Sequence, residues 1–265
     1  MAEQWWQFRD YQPGTMAAIS LIPRYIAISR GTKRPILEFL DSGIHPDNAL
    51  VIFPLPDDSS FGILQSGIHF EWFKARCSSL KGDYRYTGDT VFDTFPWPQA
   101  PTRAQIESVA KAAVALRQLR RDVMAKMNWS LRDLYRTLEE PGANPLRDAQ
   151  ARLDGSVRAA YGMAEDAADR EHLRKVEVGF LPKGPWAGSP HRLESGQDAH
   201  GPLPCNFRAC APTDPLAFLL ALNQACAARE AAGEPVTPPG LPLPADEHAA
   251  FITEDCIRVA NPEPA

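Results

Sequence analysis

With 265 residues and a hydrophobic content of 44%, the chain can bury the core of one large domain or two small ones. Its formal net charge of -5 excludes a histone-like coat for nucleic acid but not a sequence reader with a local basic face. Five scattered cysteines form no short-spaced disulfide framework, the polar start has no leader character, and no apolar run nears the ~20 residues of a membrane span, so a soluble cytoplasmic protein is expected.

Residues 18–56 read as β-rich. The run Arg24-Tyr25-Ile26-Ala27-Ile28-Ser29-Arg30 suits a strand and leads into a basic turn, Gly31-Thr32-Lys33-Arg34. Ile36–Leu40 and Ala49–Leu55 are two further apolar runs bounded by Asp, Gly and Pro. The period then changes. Phe61, Leu64, Ile68, Trp72 and Phe73 recur every three or four residues, which predicts one amphipathic helix over about 60–77, with Ser59 or Ser60 as its cap. Extended chain is expected through Asp83–Thr87 and Val91-Phe92, until the prolines of Phe95-Pro96-Trp97-Pro98 stop regular structure.

Helices follow. Thr102-x-x-Gln105 is a capping-box pattern, in which hydroxyl and amide satisfy otherwise orphaned backbone N–H groups. Ile106, Val109, Ala113, Leu116, Leu119, Val123 and Met127 carry that helix to about residue 127. A short helix is predicted over Leu131–Leu138, and a third begins with Asn144 as cap and Pro145 in the first turn. It presents Leu146, Ala149, Leu153 and Val157 on one face and stops at Gly162. Residues 164–212 are charged at first, then rich in Gly, Pro and His without periodicity, the pattern of an irregular insert. Asp214-Pro215 opens a last helix to about Glu230, with a proline-rich tail expected after Gly233. The fold class is therefore α+β. It divides into a mixed domain at 1–100, a helical subdomain at 101–163, an insert at 164–212, and a helix plus tail at 213–265.

Catalytic patterns are missing. No glycine-rich loop follows a strand, as a nucleotide-type cofactor would need. Asn144-Pro145-Leu146, Asp214-Pro215-Leu216 and Asn261-Pro262-Glu263 lack the second proline and the aromatic of an amino-methylating tetrapeptide. No lysine has an acidic residue two positions before it, as a restriction-type nuclease site requires. His191, His200, Cys205 and Cys210 have irregular spacing for zinc and read as incidental groups in the insert. The expectation is no catalytic residue, no metal and no cofactor in this chain.

One ordered series of motifs remains: RYIAISR from Arg24, FGILQSGIHFEWF from Phe61, DYRYT from Asp83 and VFDTFPWP from Val91. It resembles the target-recognition domain of MmeI-like adenine-specific DNA methyltransferases of type II restriction–modification or phage-defence systems. LRDAQARLDGSVRAAYGM from Leu146, DPLAFLLALN from Asp214 and TPPGLP from Thr237 resemble that family's C-terminal helical region. Gly67 departs from an arginine common in the family, Cys77-Ser78-Ser79 departs from a glycine-led turn, and the stretch from Met163 to Thr213 interrupts what is continuous in relatives. The resemblance implies a DNA-reading half of a methyltransferase. Double-stranded DNA and a methyltransferase domain or subunit are then its partners, and S-adenosylmethionine is held by that other half. The alternative is a non-catalytic interaction subunit, or gene remnant, of a defence complex.

DNA readers need cations for phosphates and forked or planar donors for base edges. Arg30, Lys33 and Arg34 at the end of a strand form one candidate group, and Lys81, Tyr84, Arg85 and Tyr86 form a second. Ser66 and His69 in the predicted helix complete the set of DNA-binding candidates. Each has a competing structural role. A Lys-Arg turn is often only solvated, Tyr84 and Tyr86 share one strand face and can pack, and a helix histidine can be satisfied internally. Arg85 points the other way, and its competing role is an ion pair with Asp83 or Asp89. Trp72, Phe73, Phe95 and Trp97 are assigned to the core. Residues 102–153 hold ten Lys/Arg against six Asp/Glu, so Arg117, Arg120 and Arg121 are further phosphate candidates.

Overall fold

A computed structural model describes residues 13–80, 83–163 and 214–258. They fall into two compact units: one built from the chain up to Phe95 together with the chain from Pro238 onward, the other from Pro96–Thr237.

The first unit opens with α1 (Pro13–Ser20), β1 (Arg24–Ser29), β2 (Gly31–Thr32), β3 (Glu38–Asp41) and β4 (Leu50–Phe53). Strand β1 lies between β3 and β4 and is antiparallel to both. Its residues from Arg24 to Ile28 are all buried, because both sheet faces are covered. On one face Tyr25 and Ala27 pack with Ile19, Met16, Ile22, Leu40, Leu50 and Ile52. On the other, Ile26 stands opposite both Phe39 and Phe53. Phe39 meets Phe61 at 5.0 Å between ring centroids, and Phe53 meets Tyr86 and Phe92 at 5.5 and 4.9 Å.

The single helix expected over 60–77 is two: α2 (Asp58–Gln65) and α3 (Gly67–Arg76). Ser66 adopts an extended conformation between them, and its hydroxyl accepts from the His69 N–H, so one residue ends the first helix and caps the second. Asp57 caps α2 by accepting from the Ser60 N–H, the role expected of Ser59 or Ser60. A second small sheet follows, with β6 (Asp83–Arg85) between β2 and β5 (Ser78–Leu80), antiparallel to both. Val91-Phe92, expected to be extended, closes a π-helical turn over Gly88–Phe92. That turn presents the Val91 carbonyl to the buried Trp72 indole N–H at 3.2 Å.

The second unit is helical: α4 (Arg103–Met127), α5 (Leu131–Arg136), α6 (Pro145–Ala160) and α7 (Pro215–Ala231). Thr102, Asn144 and Asp214 cap as the sequence predicts, and Gly162 takes the positive φ (73°) that ends α6. Helices α4 and α6 run antiparallel. Gln105 donates to the Ala159 carbonyl at 2.6 Å and Ser108 meets Ser156 at 3.0 Å. The two ends of the unit clasp each other. The Thr237 N–H donates to Gln99 Oε1 at 2.9 Å, and the Ala100 N–H donates to Thr237 Oγ1 at 3.2 Å.

The stretch after Gly233, expected as a tail, is structured where described. It forms a 3-10 segment at Ala245–Phe251, and Ile257 pairs with Leu40 at the free edge of β3. No helix among the described residues is long and apolar enough to cross a membrane.

Candidate nucleic-acid interface

The two basic groups found in the sequence meet at the small sheet. Strand β1 ends at Ser29, and Arg30 bends the chain into β2: its N–H donates to the Ala49 carbonyl at 2.7 Å and its own carbonyl accepts from the Tyr86 N–H at 2.8 Å. Gly31 then stands opposite Arg85, and Thr32 opposite Tyr84. The turn beyond is fixed by Thr32. Its hydroxyl donates to the Arg34 carbonyl at 2.5 Å and accepts from the Arg34 N–H at 3.0 Å, which holds Lys33 exposed at the tip.

Alternation along β6 puts Arg85 on the face opposite Tyr84 and Tyr86. Arg85 is exposed, and its cross-strand neighbours are Gly31 and Ser78, both small and exposed. A side chain added at Gly31 would meet nothing within 4 Å, so the space beside Arg85 on that strand is open. Among the described side chains Arg85 forms no ion pair, with Asp89 or any other; the side chain of Asp83 lies outside them. Arg30 is half-buried, and its Nε is enclosed without a hydrogen-bond partner. It borders a cleft of about 470 Å3 lined also by Met16, His45, Asp47, Asn48 and Ile52.

Three of the DNA-binding candidates lie inside the core, and their roles there are structural. His69 is fully buried. Its Nδ1 donates to the Leu64 carbonyl at 2.6 Å, and its Nε2 accepts from the Tyr86 hydroxyl at 3.0 Å. Phe95 packs edge-on to the ring at 4.9 Å. Burial drives its pKa down to about 4, so the ring is neutral and needs both neighbours. Tyr86 is equally buried, and the same desolvation pushes its phenol far above the usual range. Ser66 is spent on capping α3 and on donating to the Ile63 carbonyl at 2.7 Å. Tyr84 is half-buried against Phe70 and Phe73. Lys81 lies outside the described residues, as do His191, His200, Cys205 and Cys210.

In the helical unit, Arg117 and Arg120 are buried, and Arg120 donates to the Tyr135 hydroxyl, which removes both from a phosphate-facing surface. Arg121 is exposed and bonded to Gln118 at 2.9 Å. Trp72, Phe73, Phe95 and Trp97 are buried as expected. Arg76, outside the basic groups picked out from the sequence, is an exposed cation in the last turn of α3 that leads through Cys77 into β5. Its signal was a basic residue at a helix C-terminus, where the helix dipole favours one. Arg24, placed in a strand by its sequence context, is buried at the head of β1 with Asp58 at 2.7 Å. Among the described residues no group of three or more His, Cys, Asp or Glu side chains could hold a metal ion.

The first unit's strands and helices lie largely within a stretch that is similar to one known domain. Residues 1–99 match the MmeI target recognition domain. The matched stretch contains β1 to β6, α2 and α3, and the candidate cations Arg30, Lys33, Arg34 and Arg85. A DNA methyltransferase A of Bacillus subtilis (strain 168) is 35% identical over 114 residues, which cover 42% of this chain and 12% of that protein. A solved structure of the type IIL restriction-modification enzyme MmeI in complex with DNA aligns with 58% of this chain and 21% of that one, at 26% identity and a TM-score of 0.45. The chain thus spans a small part of each of these relatives.

Proposed function

We propose that the recognition domain reads double-stranded DNA through the small sheet, as the recognition half of an adenine-specific methyltransferase or restriction–modification protein. The observation that carries this reading is the β2–β6 pairing, which sets the Lys33–Arg34 turn beside an exposed Arg85 flanked by Gly31 and Ser78. A small antiparallel ribbon with small neighbours around a forked cation can enter a groove, where guanidinium and ammonium groups meet phosphates and base edges. The match of residues 1–99 to a target recognition domain supports the same reading. Arg30, Lys33, Arg34 and Arg85 are the contact residues. Tyr84 braces the ribbon from below through Phe70 and Phe73.

Methyl transfer and base extrusion belong to a separate catalytic domain or subunit. The described residues do not fit S-adenosylmethionine. Both sheets are antiparallel, and the chain passes from β4 into α2 through Pro54-Leu55-Pro56-Asp57, without the glycine-rich turn that brings a helix N-terminus close to a cofactor. On this reading the cofactor is held by the catalytic partner.

The test is binding of the purified chain to a randomised pool of short duplexes, followed by anisotropy titration on the enriched sequences at several salt concentrations. Binding that weakens steeply with salt and prefers some sequences is expected. Salt-insensitive association with a methyltransferase subunit, without DNA binding, would overturn the reading in favour of an interaction subunit.

A further inference from the structure

The chain beyond Thr237 is where sequence pattern and structure differ most. Its residues from Pro238 belong with the first unit, although the whole helical unit separates them in sequence from the recognition domain. Ile257 lies parallel to β3, donating its N–H to the Phe39 carbonyl at 2.8 Å and accepting from the Asp41 N–H at 3.0 Å. It thereby pairs the edge of β3 that β1 leaves open.

The same segment adds a second carboxylate to a buried ion pair. Arg24 is 2% exposed. Its Nε donates to the Pro56 carbonyl at 2.8 Å, and its Nη2 donates to Asp58 Oδ1 at 2.7 Å. Its Nη1 donates to Thr253 Oγ1 at 3.0 Å, to the Asp255 carbonyl at 2.9 Å and to Asp255 Oδ1 at 3.0 Å. The Thr253 N–H reaches Asp58 Oδ2 at 3.1 Å, which joins the carboxylate and the segment directly. The Phe39 ring covers the guanidinium at 3.6 Å. Among the described residues, every partner of Nη1 thus comes from residues 253–255. Without those acceptors the guanidinium would keep Asp58 and the Pro56 carbonyl but leave its Nη1 donors buried and unmet, which is costly.

We infer that residues 252–257 are an intramolecular docking segment that completes the recognition domain and positions its reading turn. Arg24 opens β1, the central strand, and the far end of β1 passes through Arg30 into β2. A shift of β1 along its register therefore moves Arg30, Lys33 and Arg34 together. The role given to that turn rests on the proposed DNA reading; the docking itself does not. Asp255, Thr253 and Asp58 act as positioning residues through Arg24.

The experiment uses the full chain and two variants, Asp255→Asn and Thr253→Val, with Thr253→Ser as the conservative control. Native-state hydrogen exchange is followed without DNA, and anisotropy with DNA is measured separately. Both variants are expected to melt roughly 10 °C lower. They should also exchange at least about tenfold faster at the Arg30 and Tyr86 amides, while Thr253→Ser stays within about twofold of the parent. If Asp255→Asn does not fold, the segment is part of the fold and the positioning is read from Thr253→Val. Unchanged exchange in both variants, or faster exchange confined to residues 252–257, would overturn the inference. A variant that keeps its recognition-domain protection while forming dimers by exchange of the segment would overturn it as well. Faster exchange at Arg30 with no DNA binding by any of the proteins leaves the docking standing and refutes the DNA reading alone. Steep salt-dependent binding by all of them with unchanged exchange does the reverse.

Discussion

Acidification is expected to loosen the first unit through His69. The ring is fully buried, with Nδ1 donating to Leu64 and Nε2 accepting from Tyr86, and burial lowers its pKa from 6.5 to about 4. The unfolded chain has the ordinary value, so between about pH 6.5 and about pH 4 it holds a proton that the native state refuses. Stability is therefore complete above the unfolded value and falls as pH drops through that window, with no further loss from this group below about 4. Two and a half pKa units at about 1.4 kcal/mol each amount to about 3 kcal/mol, a large share of a domain's margin. Asp57 works in the opposite sense, since burial raises its pKa and the native state takes up that proton first. Comparing variants cancels its contribution. The assay is urea denaturation followed by near-ultraviolet circular dichroism across this pH range, on the parent chain and on His69→Asn. Asn keeps an amide donor but cannot titrate. The parent should lose about 3 kcal/mol more than the variant between neutral pH and pH 4. Parallel losses in the two proteins would refute the argument.

Tyr86→Phe removes the donor to His69 Nε2 while keeping the ring contacts with Phe53 and Phe73, and should cost about 1–2 kcal/mol in denaturation. The same change should raise the His69 pKa only slightly, which imidazole NMR can follow. Ser66→Ala deletes the cap of α3 between two packed helices and is expected to cost about 1 kcal/mol, with faster exchange at the His69 amide. Gln105→Ala breaks both its half of the capping box and the link to the Ala159 carbonyl, so the helical unit should lose about 1–2 kcal/mol in calorimetry. Arg85→Ala should leave the melting temperature unchanged, weaken DNA binding, and reduce the log–log salt slope by about 1 if it contacts phosphate. An unaltered slope and affinity would remove Arg85 from the interface.

What the sequence determined by itself was local. Thr102 with Gln105, Asn144 with Pro145, and Asp214 with Pro215 announce helix starts, because a cap and its target lie within three residues and their energy hardly depends on the rest of the chain. The strand character of Arg24–Ser29 and the apolar faces of α4 and α6 are legible for the same reason. The basic turn and Arg85 could be picked out by composition, and their nearness could not, since it rests on the β2–β6 register. Tertiary structure alone decided which polar residues turn inward. His69 and Tyr86 are seventeen positions apart and compensate each other in the core, so each looked like a surface candidate when read alone. Ser66 breaks one amphipathic period into two helices because its hydroxyl caps the second, although the apolar spacing runs on through the break. Arg24 and Asp255 are 231 positions apart, beyond the range of any local pattern. The proline-rich stretch that reads as a tail docks by supplying acceptors to the Nη1 of a buried guanidinium and a pairing partner to an open strand edge in the first unit. Short-range hydrogen bonds are written in neighbouring residues; the compensation of buried charge is written only in the folded chain.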